Sequence, residues 1–279
     1  MGPPNGQRLK GFYPVAVAPL APADRFARPA GAHLTIGPLN SKQWPKVILT
    51  PEAHGKMWAL VQTCEIEVGW LSTCFKTENG DFVIDNVFVP GQRCTAASTT
   101  ITKDGEAGLL DALLRAKKYE SINRLGCWGH SHVNMAVFAS GIDETQTTTY
   151  LKKRREQKHD HFIRVIANKH GDFFCSLYQL DLEMVLHNPP LEAPKPKAKR
   201  YLEWAKGEIE RNVTPEVITA ANFAILGSEL DAFDLQMLDG WFRSGFLDPI
   251  AYERLKLLSH SLPNQSATPD DRPNRGGYE

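Results

Sequence analysis

The sequence predicts an α+β chain: a mixed β-sheet with helices laid on it, followed by a small all-α bundle. Three observations carry this. Between residues 46 and 180, short alternating or β-branched runs interleave with stretches of helical period. Asn79-Gly80 and His170-Gly171 separate strand-like runs, as tight hairpin turns do. Beyond a Pro/Lys-rich segment at 187–200, only helical patterning remains.

Residues 1–42 are rich in Pro, Ala and Gly without a sustained period, and read as a flexible or loosely docked arm. A short strand at 46–50 runs into Thr50-Pro51-Glu52. That triplet supplies an N-cap, a proline at the first helical position and an acid in the first turn, so a helix to about residue 64 follows. Residues 65–75 alternate as a strand, with Ile66, Val68 and Trp70 on one face and Glu65, Glu67, Gly69 and Leu71 on the other. After the Asn79-Gly80 turn come an apolar strand at 81–89 and a β-branched one at 95–101. Leu109, Leu110, Leu113 and Leu114 form one stripe of a helix over 106–118. A central strand at 125–132, a helix at 140–156 and a hairpin of 161–167 with 172–180 complete a domain spanning 43–186. The segment 187–200 reads as a linker. Helices near 201–212, 215–226 and 249–260, with the stripe Leu230, Phe233, Met237, Leu238, Trp241 and Phe242, make a bundle over 201–260; 261–279 is a polar tail expected to be disordered.

Composition narrows the class. The 279 residues carry 32 Lys+Arg against 32 Asp+Glu, with 42% hydrophobic and 23% charged residues. This is ordinary globular usage and excludes a disordered chain, a collagen-like fibre and a coiled-coil rod. Zero net charge argues against broad binding to nucleic acid. The neutrality is local balance: residues 150–169 hold seven basic and two acidic side chains, and 201–260 hold five basic and ten acidic. A solvated face is the usual reason for each; docking of the acidic bundle on the run Lys152-Lys153-Arg154-Arg155, or on a basic partner, is the sharper one. Five cysteines without a C-x-x-C pair speak against a disulfide framework and a thiolate zinc site, and for a reducing compartment. No apolar core follows Met1-Gly2-Pro3-Pro4, and no run approaches the ~20 residues that span a bilayer. A cytoplasmic protein, with neither membrane nor nucleic acid as partner, is expected.

One stretch carries chemistry. Gly129-His130-Ser131-His132 is followed, after seven residues, by Ser140-Gly141-Ile142-Asp143. His130 and His132 are two apart, so on extended backbone both imidazoles point the same way and suit one zinc ion. Asp143 returning as a third, oxygen ligand gives three protein ligands and an open position, the pattern of catalytic zinc. A general base is then needed, and Glu67 or Glu65, of the same strand parity, supplies it. Ser140 is placed to donate to an oxyanion. The plain alternative is that Ser140-x-x-Asp143 is a helix N-cap with an acid at the third position. His159-Asp160-His161 is a second, weaker ligand cluster.

The set His130, Ser131, His132, Ser140 and Asp143, with Glu67 upstream, resembles the JAMM (MPN+, or JAB) family of zinc metalloproteases. The resemblance covers about residues 46–180. Val133-Asn134-Met135 stands where many eukaryotic relatives carry proline, which places the chain closer to prokaryotic members. The resemblance implies a JAMM-type curved mixed sheet, a Zn2+ cofactor held by His130, His132 and Asp143, Glu67 as general base and Ser140 as oxyanion donor. It also implies hydrolysis after the C-terminal Gly of ubiquitin or a ubiquitin-like modifier, with the modifier, its conjugates and the activating and conjugating enzymes of its pathway as partners. Two other functions remain open: a peptidase releasing a small amine from a sulfur-carrier protein, and a binding scaffold without turnover.

Overall fold

The structure is a computed structural model that describes residues 15–19, 44–219 and 232–261. It divides into two units, residues 1–217 and 218–279. The first is built on a mixed sheet, as expected. Its strands are β1 (Val15–Pro19), β2 (Val47–Leu49), β3 (Gly69–Lys76), β4 (Phe82–Phe88), β7 (Leu125–Ser131), β8 (His161–Ala167), β9 (Phe173–Gln179), β10 (Met184–His187) and β11 (Leu191–Glu192). They lie in the order β1-β10-β9-β8-β7-β3-β4-β2-β11. A second sheet sets β5 (Gln92–Cys94) between β6 (Thr99–Ile101) and β12 (Val213–Pro215).

Three of the helices open on hydroxyl caps, of which the one at Thr102 moves the helix expected over 106–118 to 103–115. Thr50 Oγ1 accepts from Ala53 N at 3.2 Å and opens α1 (Pro51–Thr63). Thr102 opens α2 (Lys103–Arg115) in the same way. After the short α3 (Tyr119–Asn123), Ser140 caps α4 (Gly141–Glu156). Gly80 at φ +85° and Gly171 at φ +88° take the left-handed turns that the hairpins need. Trp70, Trp128, Phe82, Phe162, Leu60 and Ile163 are among the largest wholly buried side chains.

Strands β7 and β3 pair antiparallel, with Trp70 opposite Gly129; β8 runs parallel on the other side of β7. A Cβ at Gly129 would lie 2.5 Å from Trp70 Nε1 and 2.6 Å from Val165 O. Gly129→Ala therefore forces Trp70 or the strand to shift. We expect a loss of about 1–3 kcal/mol in denaturant unfolding, the usual cost of overpacking a filled core.

Several boundaries depart from the sequence reading. The strand expected at 65–75 begins at Gly69, because residues 65 and 66 bend, so Glu65 and Glu67 lie on irregular backbone. Part of the expected arm, 15–19, is a strand on β10; the rest of 1–42 lies outside the described residues, apart from these five. The 187–200 segment is anchored: β11 pairs parallel with β2, and His54 Nδ1 meets Pro194 O at 2.5 Å. Helix α5 (Leu202–Asn212) belongs to the first unit, not to a bundle. It packs on α1, with Lys56 Nζ 5.2 Å from the Trp204 ring centre. Residues 213–215, expected to lead into or begin a helix over 215–226, form β12 instead. Parallel pairing with β5 satisfies their backbone where a helix would begin; residues 220–231 lie outside the described residues.

The second unit contains α6 (Ala232–Arg243) and α7 (Pro249–Ser261), the latter near the expected 249–260. Ile218, Leu238, Trp241, Leu247, Ala251 and Leu255 are buried. Phe242 is half-exposed and stacks on Tyr252, 4.4 Å between ring centres, so it sits at the margin of the core. Leu230 and the tail from 262 lie outside the described residues, as do the side chains of Phe233 and Met237. Among the described residues, no helix is long and apolar enough to cross a membrane.

Candidate metal centre

The end of β7 carries both histidines. His130 lies in the strand, opposite Gly69 of β3 and beside Ile166 of β8. His132 follows the last strand residue, and its N–H donates to Ala167 O at 2.8 Å, which keeps the backbone extended through the pair. The imidazoles consequently share a face, 5.0 Å between ring centres. Trp128, two residues earlier, stacks on His130 at 4.9 Å and restrains that ring.

Asp143 arrives from the first turn of α4. Ser140 Oγ accepts from Asp143 N at 3.2 Å and donates to Asp143 Oδ2 at 2.9 Å; Ser140 N donates to the same oxygen at 2.9 Å. This capping box is the plain reading of Ser140-x-x-Asp143. The box turns the carboxylate inward, where Oδ1 lies 3.1 Å from His130 Nε2 and Oδ2 3.8 Å from His132 Nε2. Helix α4 is tied to the sheet by Arg164, a wholly buried side chain of β8 that donates to Glu144 Oε1 at 2.8 Å and Thr147 Oγ1 at 3.1 Å.

Glu67 completes the group. Its carboxylate and the two imidazoles each offer a donor atom, all within 4.8 Å of one another. Glu67, His130, His132 and Asp143 are 3%, 0%, 4% and 5% exposed. The Glu67 carboxylate and the two imidazoles, shielded from water at these distances, could hold a metal ion; Asp143 stands against both histidines beside that group. Parity left Glu65 and Glu67 equivalent; the structure separates them. Glu65 is exposed and pairs with Lys169 at 2.9 Å. Ser131, the residue between the histidines, holds Val68, the neighbour of Glu67: its Oγ accepts from Val68 N at 3.0 Å and its N–H donates to Val68 O at 2.9 Å.

Two further observations suit a metal. His130 Nε2 is buried without a hydrogen-bond partner although it faces Asp143. His132 Nδ1 lies 2.7 Å from Ala136 O, so an Nδ1–H tautomer leaves the Nε2 lone pair turned to the carboxylates. The remaining candidates do not gather here. His161 Nδ1 is 2.6 Å from Asp160 Oδ1 and its Nε2 3.4 Å from Cys74 Sγ, a local network rather than part of the metal group. In the basic run, Lys153 pairs with Glu106, and buried Arg154 donates to Leu125 O.

Burial drives the His130 pKa down. It acts in the same direction on His132, but the Asp143 hydrogen bond, the charge of Glu67 and the Ala136 carbonyl outweigh it and raise that imidazole to about 9. Burial would raise the Asp143 carboxyl, yet the two histidines and the Ser140 N–H hold it well below the usual carboxylate range. The linkage to stability follows. His132 stabilises the metal-free fold fully below its unfolded value near 6.5 and loses that contribution as pH rises through about 9. Asp143 stabilises above about 3.8 and loses its contribution on acidification. Chelator-treated protein should therefore lose stability between about pH 6.5 and 9 in denaturant titrations, with a shallower slope in His132→Ala.

Neither protein-family models nor curated proteins give a match to this chain.

Proposed function

We propose that this chain is a zinc-dependent peptidase or isopeptidase that hydrolyses the bond after the C-terminal Gly of ubiquitin or a ubiquitin-like modifier. The observation that carries the reading is the buried convergence of Glu67, His130, His132 and Asp143 from three separate stretches of chain. The motif's similarity to the JAMM pattern supplies the substrate class. Two imidazole nitrogens and one carboxylate oxygen are the donor chemistry of an open zinc site, so His130, His132 and Asp143 would hold the ion. When bound, zinc supplies Lewis acidity, polarising a carbonyl and lowering the pKa of water.

The other side chains divide the proton work. Glu67, buried beside His132, takes a proton from the attacking water and passes it to the departing amine as the C–N bond breaks; the hydroxyl goes to the acyl carbon. Glu65, held on the surface by Lys169, takes no part. Ser140 orients Asp143, and its donation to an oxyanion requires its proton to leave Asp143 Oδ2. Phe138, half-exposed and edge-on to His132 at 5.6 Å, offers an apolar contact to the modifier's tail. The modifier, its conjugates and the enzymes that attach it are the partners in this reading, and the cytoplasm is its compartment.

The test is a panel of glycine-terminated modifiers, fused linearly or linked to lysine, incubated with the full-length protein. Cleavage immediately after the glycine, abolished by chelator and restored by zinc, is expected. Chelator-resistant cleavage, or no cleavage of any member by zinc-loaded protein, would contradict the reading.

A further inference from the structure

Glu67 lies in no regular element, yet the backbone N–H groups from Glu67 to Gly69 are all held. Glu67 N donates to Thr95 O at 3.0 Å, Val68 N to Ser131 Oγ at 3.0 Å and Gly69 N to Gln92 Oε1 at 2.7 Å. Gln92 is the unusual partner. Its buried amide engages both polar groups of the Gly69 backbone, because Nε2 donates back to Gly69 O at 2.9 Å. The side chain thus stands where the peptide of another strand would. It is fixed in turn by Thr99, whose hydroxyl donates to Oε1 at 2.8 Å, and by Pro90 O, which accepts from Nε2 at 3.2 Å. The fit is close: a Cβ at Gly69 would come within 3.2 Å of Gln92 Oε1 and 3.1 Å of Thr99 Oγ1.

Gln92 opens β5, the middle strand of the small sheet, and both neighbours of β5 lead elsewhere. On β6, Thr99 O accepts from Gln146 Nε2 at 2.7 Å, on α4 three residues beyond Asp143. On the other side β12 runs parallel, with Val213 opposite Gln92 and Pro215 opposite Cys94; Glu216 N continues the ladder to Cys94 O at 2.7 Å. The chain then passes directly into the second unit at Ile218. One sheet therefore touches the backbone that carries Glu67, the helix that carries Asp143 and the strand that leads to the C-terminal unit.

We propose that Gln92 is the positioning residue for Glu67, and that β12 sets how firmly Gln92 holds it. The proposal rests on the reading of Glu67 as the proton carrier. The amide acts through Gly69: it fixes the peptide two residues after Glu67 and so limits where the carboxylate can stand. Placement matters here because a misplacement of about 1 Å can cost about 100-fold in rate. Strand β12 acts on β5. Without its ladder, β5 keeps only β6 as a partner, and a three-residue strand held on one side opens readily. Displacement at 213–216, as by a partner engaging the unit that follows, would thereby lower turnover without removing a metal ligand.

Two full-length variants test this, with Arg93→Ala as control: it removes the exposed 3.6 Å ion pair between Arg93 and Glu216 but leaves the backbone ladder of β5 and β12 in place. Gln92→Ala deletes the amide, and Glu216→Pro deletes the N–H that donates to Cys94 O. Three quantities are read: kcat and KM on the cleaved fusion, zinc content under chelator competition, and hydrogen exchange of peptides covering 64–72 and 125–132. In each variant kcat should fall about tenfold or more while KM and zinc affinity stay within about twofold. Exchange across 67–69 should quicken about tenfold or more, with 125–132 still protected. The control should match the parent protein. Unchanged exchange at 67–69, full kcat, or zinc loss equal to the loss of rate overturns the proposal. If Gln92→Ala does not fold, Glu216→Pro decides alone. If the parent protein cleaves no fusion, the peptidase reading fails, and exchange still decides whether Gln92 and β12 hold this backbone.

Discussion

If the proposed function holds, His132→Ala should lose zinc and hydrolysis together. Deleting a group that merely hydrogen-bonds a ligand typically costs about 10–100-fold in metal affinity, so deleting the ligand itself should cost more than 100-fold. The substitution also leaves the Asp143 carboxylate facing one imidazole instead of two, in a site 5% exposed or less. Metal analysis after dialysis against a weak chelator should find zinc in the parent protein and none in the variant, with no turnover. Asp143→Ala should behave in the same way with an added cost to the fold. It removes half of the capping box that starts α4, and loss of such a cap typically costs about 0.5–2 kcal/mol. Full zinc content in either variant would contradict the ligand assignment.

Glu67→Gln separates ligand from base. The amide has nearly the size of the carboxylate but cannot take up and hand on a proton. A general acid–base group typically contributes about 100- to 10,000-fold, so kcat should fall within that range while zinc content stays near one per chain. The distances give the experiment its force, since Glu67 lies as near the imidazoles as a ligand would. Zinc loss on this substitution would make Glu67 a ligand and reassign the base. Glu65→Gln, altering a surface residue paired with Lys169, should leave the rate unchanged.

The parts of the fold legible in the sequence were those with a long period or a committed turn. Helix α1 begins at the cap set by Thr50 and Pro51, and strand β8 occupies the residues its apolar run marks. The two- and three-residue strands β5, β11 and β12 have too few positions to show an alternation, and what holds them is pairing with residues far away in sequence. The end of the first unit was missed for the same reason. The Pro/Lys composition of 187–200 describes side chains, whereas its anchoring comes from backbone pairing on β2 and from His54.

The site divides along similar lines. Spacing alone placed His130 and His132 on one face, and the cap pattern placed Asp143 at the start of a helix. The choice between Glu65 and Glu67 could not be made from parity, because residues two apart share it; the bend at 65–66 that helps to separate them leaves no mark in the alternation. Gln92 carried no signal at all: its role exists only because Gly69, 23 positions earlier, lacks a strand partner where the amide binds. Two observations remain without a functional account: the Cys74–His161–Asp160 network, and Val133 at φ +48°, a strained conformation for a β-branched residue just after His132.

The most direct measurement is the zinc X-ray absorption spectrum of the full-length protein loaded with one equivalent of metal. All five cysteines are buried and free, and burial pushes the thiols of Cys74, Cys94 and Cys175 up to about 12, which disfavours their thiolates. A shell of nitrogen and oxygen donors at about 2.0–2.1 Å, with the outer scattering of two imidazoles and no sulfur, is the expected result. Sulfur at about 2.3 Å, or imidazole scattering that survives intact in His132→Ala, would show that the metal is held somewhere other than by His130, His132 and Asp143.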